Sequence, residues 1–560
     1  MKKTKIKKFL ASLISLVLLC GFAACSSGSP SVNQSAVESE IAKTEAEKTT
    51  AAKTEEVEAT EGTAAETEDT EMGDVVEIEF MNMDQSWKIV DFGKDPVTKK
   101  FIEETGVKFI CSAPQGEWEQ IANVMLASQD YPEVMHMGIN SIFNQYVAAG
   151  ALMPINKMAE EYGHDSIING DFIPEQVIRS RTSDDGNLYC VPNWFSEDGF
   201  GSVGTAMNVR NDIMKQFDEP AITNMDDLYD FMVEIKDANL TTPDGAKLWP
   251  MAYKHDDKQY FGYMANLWGS QLYMFNYFDE EAQEVNFMLR NPTVLEALKF
   301  LSKCYQEGLM DPEVLTYDGT TRTEAYNQGK HAIVFCEIWD LWTPNSALSQ
   351  MDPEMYYYAV EPPSGDETAQ KYFGRVHMSG GSGLMITNNC KNPEAAMRFV
   401  NYFLSPEGET LNFYGIEGET MEFIDGKPFL FEEAYEAKLA DWEGYAFSKG
   451  VRIFDFMNSQ EFNWEREQES PARQKDRAIA TEFAFNGTIQ SVIIIDPLTE
   501  EGILLAEIEA NIISELTKLI MEPDPGVIET KLADLLAEYE RRGVADLEAE
   551  WTKQYLAKLG

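Results

Sequence analysis

An α/β chain of two lobes is what this sequence predicts, and three observations carry the prediction. Strand and helix patterns alternate from Gly73 onward. The stretch that alternates, roughly 490 residues, is long for one hydrophobic core and suits two. Two glycine-bearing segments, 184–210 and 377–386, each lead into a strand at a point where the chain can pass from one lobe to the other.

The first lobe opens with a strand in which Val76, Ile78 and Phe80 alternate with Glu77 and Glu79. Pro96 to Thr105 reads as a helix ended by Gly106, and VKFIC as a second strand. GEWEQIANVMLASQ is a second helix with Trp118, Ile121 and Met125 on one face, and EVMHM is a third strand. The order βαβαβ gives a parallel sheet, with ligand groups expected in the loops after the strands' carboxyl ends: Asn82 to Trp87, Ser112 to Glu117 and Gly138 to Ser141.

Asp184 to Arg210 carries the first crossing. DDGN is a turn, LYCVP a short strand, and Thr205 to Val209 a second strand behind Trp194, Phe195, Gly199, Phe200 and Gly201. A hinge with a ring placed to cover the cleft fits this order; a long hairpin with a decorated loop fits it too. In the second lobe, Asn291 caps a helix with Pro292 in its first turn and Gly308 after its end, burying Val294, Leu298, Leu301 and Tyr305. Residues 330–339 form a strand that runs into Trp339–Asp340–Leu341–Trp342, and 392–408 read as one helix burying Ala396, Phe399, Val400 and Phe403. The helices from Glu500 to Leu559 are amphipathic and acidic.

Met1 to Ala24 has the form of a secretion signal. Lys2, Lys3, Lys5, Lys7 and Lys8 precede an apolar run, Phe9 to Ala24, which is shorter than the roughly 18–20 residues of a membrane span. Phe22–Ala23–Ala24–Cys25 resembles the bacterial lipobox, with Phe22 where Leu is usual, and makes Cys25 the expected lipid-bearing residue. Residues 25–73 hold almost no large apolar side chain and read as a disordered acidic tether. The expected division is 74–198 with 380–415 as lobe 1 and 199–379 with 416–560 as lobe 2, the C-terminal part being able to cross back.

The formal charge of −50, from 45 basic and 95 acidic residues, argues against a nucleic-acid partner. After Cys20 leaves with the signal and Cys25 takes lipid, Cys111, Cys190, Cys304, Cys336 and Cys390 remain without a CxxC, and read as free thiols rather than a disulfide frame or zinc site. No metal or cofactor is expected.

The segments LASQDYPEVM, GALMPIN, DGNLYCVP, YQEGLMDPEV, QGKHAIVF, PEAAMRFVNYFLSPEGE and FYGIEGE resemble the extracellular solute-binding proteins of family 1. Within that family the chain is most similar to the LplA-like lipoproteins of Gram-positive sugar importers, over essentially all of Val75 to Lys558. The resemblance implies a periplasmic-binding-protein-like type II fold, similar to maltose-binding protein: two lobes, each with a mixed, mainly parallel sheet, joined by hinge crossings. It also implies a monomer, held by lipid on the outer face of the cell membrane, that captures a carbohydrate for the permease subunits of an ABC importer.

Sugar sites stack rings on pyranose faces and bind hydroxyls with carboxylates, amides and Arg. With aromatic residues at 11% and ten Trp, such a site is possible but not located by composition. Trp339 falls where the resemblance implies a stacking Trp, with Asp340 and Trp342 beside it. Tyr260 and Trp268 resemble the family's second-lobe aromatic segment, and Trp194 sits at the first crossing. Each of these rings has the hydrophobic core as its other reading. Asp84 and Trp87 occupy the first strand-to-helix loop, and Arg375, just before the second crossing, is a candidate partner for a hydroxyl or carboxylate. Carboxylates beside aromatics also describe a glycosidase, but the sequence holds five histidines and no HExxH, GxSxG or phosphate loop. A sensor or adhesion protein that presents ligand on the same fold is the remaining alternative.

Overall fold

The computed structural model describes residues 75–83, 91–116, 118–183, 185–196, 203–452, 457–459 and 468–559. These residues all belong to the compact unit Glu71–Gly560. The signal segment, Cys25, the tether, Asp84 and Trp87 lie outside the described residues.

Strands β1 (Val76–Asn82), β2 (Val107–Ser112) and β3 (Val134–Gly138) run parallel, with β1 in the middle. The alternation read in β1 is the observed one: Ile78 and Phe80 are buried while Glu77 and Glu79 face solvent. Between β1 and β2, the helix Pro96–Thr105 starts where Asp95 Oδ1 accepts from Thr98 N at 2.7 Å, and it stops at Gly106, whose φ of 66° suits a residue without Cβ. After β3 comes the short strand β4 (Val191–Pro192), and the chain then leaves for the second lobe.

There it forms β5 (Thr205–Arg210), β6 (Trp249–Tyr253), the hairpin β7 (Asn276–Asp279) and β8 (Glu284–Phe287), then β9 (His331–Glu337) and β10 (Tyr357–Val360). The second sheet has the order β10-β5-β9-β6, with β6 parallel to β9 and β5 antiparallel to both its neighbours. A return through β11 (Arg375–Val376) brings the chain to β12 (Ser382–Ile386), which inserts antiparallel between β3 and β4. The first sheet is then β2-β1-β3-β12-β4. Last come the hairpin β13 (Met421–Ile424) and β14 (Lys427–Leu430), and β15 (Phe485–Asn486), which pairs with β11.

The expected helix over 392–408 is two helices, Pro393–Leu404 and Pro406–Tyr414. Pro406 has no N–H to continue the first, and Ser405 Oγ caps the second by accepting from Gly408 N at 3.1 Å. The first of the pair does bury Ala396, Phe399, Val400 and Phe403, with Phe101 packed 5.5 Å from Phe399 and 5.6 Å from Phe403. Residues 416–459, which the sequence reading put with the second lobe, contribute Tyr445, Ala446, Val451 and Met457 to the first core. The cause is apolar: Met421 and Leu430 of the last hairpin bury against Phe413 and Tyr414, so the hairpin extends the first lobe. The chain reaches the second lobe again at the helix Pro471–Glu482, whose Asp476 Oδ1 accepts from Ala359 N of β10 at 2.9 Å. The described residues therefore pass between the lobes three times.

Helices Glu500–Ile520, Pro525–Arg541 and Val544–Leu559 complete the second core with Leu504, Ile508, Ile512, Ile528, Leu547 and Trp551. Their acidic faces carry function of a mechanical kind: Arg290 Nε meets Glu548 Oε1 at 2.7 Å and its Nη1 meets Glu540 Oε1 at 2.7 Å, fastening the hairpin β7–β8. No helix among the described residues is long and apolar enough to cross a membrane. The five described cysteines are free; Cys190, Cys304 and Cys336 are buried.

Candidate ligand site

Parallel strands β6 and β9 end side by side, and their carboxyl ends are charged. Lys254 follows β6, Glu337 ends β9, and the 3-10 turn Ile338–Leu341 presents Trp339 and Asp340. Lys254 Nζ lies 2.6 Å from Glu337 Oε2 and 3.0 Å from Asp340 Oδ2, the latter an ion contact without hydrogen-bond alignment. Asp257 and the Arg322–Asp256 ion pair stand close by. Burial would raise the Glu337 carboxyl, but Lys254, Asp340 and Tyr260 beside it hold it below its ordinary value. Asp340 goes the other way: burial and the Glu337 charge push it up to about 7. One lysine between two carboxylates cannot favour both ionised forms equally, and Asp340 is the one left holding a proton near neutral pH.

Trp339 rises from this cluster and is 38% exposed. Its ring lies on the backbone of Gly204, where the first crossing enters β5: a Cβ at 204 would stand 2.0 Å from Trp339 Cζ3. Residue 204 is glycine because the ring needs that space. The result is a flat apolar face at a strand end, next to acceptors and donors. That is a surface suited to a ring-shaped ligand with hydroxyls on its rim.

The other expected residues are dispersed. Tyr260 is fully buried beneath the carboxylates, in the second core, so it supports Glu337 and has no face for stacking. It is the second residue of the helix Gln259–Asn266, which packs its length into that core, and this explains the burial. Trp268 is half-buried against Phe300, 6.1 Å between ring centroids, and under Gly365, where a Cβ would fall 2.4 Å from the indole. Trp194, at a positive φ of 46°, packs 6.0 Å from Phe413 in the first lobe with the Arg452 guanidinium 5.0 Å from its ring. Trp342 lies under Arg473, 4.8 Å from its ring, and lines a cavity of about 300 Å³ with Asn208, Asn345, Tyr357 and Asp476. Arg375 stacks 4.1 Å from the Tyr273 ring, with Nε 3.4 Å from Gln259 Oε1. Of the expected set, Trp339 and Asp340 stand together, with Tyr260 as their buried support.

Sequence reasoning passed over Lys254 and Glu337. Both directly follow or end a run of apolar strand residues, and the rule that ligand groups gather at carboxyl ends of parallel strands would have found them. In the first lobe, His136 of β3 bonds Asn82 Oδ1 at 2.9 Å and Ser382 Oγ at 3.0 Å, tying the carboxyl ends of β1 and β3 to the start of β12.

The model of the bacterial extracellular solute-binding protein family matches residues 90–410. The fructooligosaccharide ABC transporter substrate-binding protein FusA of Streptococcus pneumoniae is 22% identical over 340 residues, which span 58% of this chain and 61% of FusA. Among solved structures, the alginate-binding protein AlgQ2 without calcium ion superposes with a TM-score of 0.69 at 20% identity, over 87% of this chain and 100% of AlgQ2. FusA of S. pneumoniae in complex with kestose gives 0.65 at 17% identity, over 86% of this chain and 99% of that one. The fold is therefore the two-lobed, periplasmic-binding-protein-like one that the resemblance implied. With residues 90–410, more than half of its length, matched by the family model, this chain belongs to the bacterial extracellular solute-binding proteins.

Proposed function

We propose that this chain is the carbohydrate-binding component of an ABC importer, held by lipid on Cys25 at the outer face of the membrane, and that it binds rather than transforms its ligand. The observation that carries the reading is Trp339: a ring open to solvent at the carboxyl end of β9, backed by Gly204 and flanked by Asp340 and Lys254. The relatives support it, since FusA is named for fructooligosaccharides and AlgQ2 for alginate. Stacking on the indole supplies the larger part of the affinity, and the charged strand ends select among hydroxyl patterns. The acidic segment 25–73, poor in large apolar side chains, gives the folded unit reach toward permease subunits.

The test is a thermal-shift and calorimetric screen against neutral and acidic oligosaccharides, amino acids and peptides. A ligand raises the melting temperature in proportion to RT ln(1 + [L]/Kd). The expected result is a saccharide binder whose affinity falls roughly thirtyfold, about 2 kcal/mol, in Trp339→Ala. Stabilisation by peptides or amino acids and by no saccharide overturns the reading.

A further inference from the structure

We propose that the ligand carries an anionic group, a carboxylate or sulfate on a saccharide, and that Arg181 and Arg375 receive it where the second crossing joins the lobes. The inference rests on the carbohydrate reading and narrows it to acidic sugars. Arg181 comes from the first lobe, on the helix Glu175–Arg181, and is 5% exposed. Its Nε and Nη2 donate to Ser379 Oγ at 3.0 and 2.8 Å, and Nη2 donates to Gly380 O at 2.9 Å. Arg375, on β11, donates from Nε to Gln259 Oε1 at 3.4 Å and from Nη2 to Tyr273 Oη at 3.3 Å. Its Nη1 is buried and has no hydrogen-bond partner.

Every one of those acceptors is neutral. His377 follows Arg375 by two residues, and desolvation together with the charges of Arg375 and Arg181 pulls its imidazole down to about 3, so it adds no charge of either sign at neutral pH. The buried Cys190 thiol, pushed up to about 12 by burial against the pull of Arg181, supplies no thiolate. Gln259 turns its Nε2 to Asp257 Oδ1 at 3.3 Å, so the nearest carboxylate in the network is reached only through an amide.

Elsewhere among the described residues, the other buried guanidinium groups have acids, Arg210 with Asp212 and Arg322 with Asp256; of the half-buried ones Arg477 has Glu469 and Arg290 has Glu548, whereas Arg398 and Arg473 have none. In a chain with 95 acidic against 45 basic residues, two adjacent arginines without a carboxylate are not a matter of supply. A buried cation without a counterion is costly, and the cost is recovered when an anion enters. The guanidinium fork suits the two oxygens of a carboxylate or sulfate, and Arg375 Nη1 is the donor left for it. Because Arg181 belongs to one lobe and Arg375 leans on Tyr273 and Gln259 of the other, an anion held by both also draws the lobes together.

The experiment is calorimetric titration of the purified protein with matched pairs: trigalacturonate against its methyl ester, trimannuronate against its methyl ester, and a chondroitin disaccharide with and without sulfate. In at least one pair the acidic member is expected to bind at least tenfold tighter, about 1.4 kcal/mol, with an affinity that falls as salt is raised. The carboxylate and sulfate arms tell which group the site takes. Arg375→Gln should bring the acid-to-neutral ratio to near one, while Arg375→Lys keeps part of it; calorimetric melting of each variant establishes that it is folded. Neutral members binding as tightly as acidic ones overturn the anion site and leave the carbohydrate reading standing. Inorganic sulfate or citrate stabilising the protein through Arg375, with no saccharide binding, keeps the anion site and sinks the carbohydrate reading. Failure of every acidic probe overturns the proposal.

Discussion

Gly204→Ala tests the placement of the site without touching a candidate ligand contact. A Cβ at 204 would stand 2.0, 2.4 and 2.6 Å from Trp339 Cζ3, Cη2 and Cε3. Ordinary carbon contacts begin near ~3.5 Å, so the indole must retreat by roughly 1.5 Å, and a gap of even ~1 Å forfeits up to about half of a dispersion contact. The ring would then lie out of register with Asp340 and Lys254, and affinity for the tightest saccharide should fall about tenfold to thirtyfold, or ~1.4–2 kcal/mol. Stability should move little. Alanine at a residue whose φ is not positive gains ~0.4–1 kcal/mol through the unfolded chain. If a third of an indole's ~200 Å² is newly wetted, about 1.7 kcal/mol is lost at ~25 cal/mol per Å². These partly offset, leaving a net loss of roughly 1 kcal/mol, and the ligand-free melting temperature should fall by only a few degrees. The assay is titration calorimetry with differential scanning calorimetry, run on Gly204→Ala, Trp339→Ala and the double variant. If the glycine acts through the ring, Gly204→Ala has no further effect on affinity once Trp339 is gone. Wild-type affinity in Gly204→Ala, or additive losses in the double variant, refutes the reasoning.

The acid pair predicts a pH signature. Asp340 is raised from 3.8 to about 7 in the folded chain, so its contribution to stability is full below about pH 4 and is lost as pH rises through 7. Asp340→Asn should flatten the fall in unfolding free energy between about pH 4 and 8 by on the order of 1–4 kcal/mol, the opposite shift of Glu337 trimming the larger figure; identical slopes in urea titrations would contradict this. Glu548→Ala should cost about 2–3 kcal/mol in urea unfolding, because Phe287 N and Arg290 Nε each donate to Glu548 Oε1 at 2.7 Å; a loss under about 0.5 kcal/mol would show the fastening to be idle. Cys25→Ala should leave the protein without lipid mass and release it to the medium, and unchanged membrane retention would remove the anchor from the proposal.

What could be read in advance was what local chemistry decides. Asp95–Pro96 and Gly106 bracket one helix, and Asn291–Pro292 starts another, because caps act within a turn of the residues they satisfy. Ser405–Pro406 carried the same signal, but the apolar period ran through it and masked the break. The return of 416–459 to the first lobe depends on Phe413 and Tyr414 offering a surface, a tertiary fact with no periodic trace. In the site, Trp339 and Asp340 were legible from a strand ending in polar and aromatic residues. Tyr260 and Trp268 were not separable from such a pair, since a ring's sequence neighbours do not say whether Phe300 or solvent will lie against it. Arg181 had no signal at all: its lack of an acid is visible only in three dimensions.

The place of β12 has a consequence for how the chain is made. Strand β4 pairs with β12 and with no other described strand, so the residues up to Pro192 cannot finish the first sheet by themselves. During synthesis, N-terminus first, the first sheet waits until Ile386 has emerged, while β5, β6, β9 and β10 can already pair with one another. The half that begins the chain is thus closed later than the sheet that follows it, with the high contact order that slows folding. A chain made in that order presents the open edge of β3 to its surroundings until β12 arrives, and that edge is the first target for a folding helper.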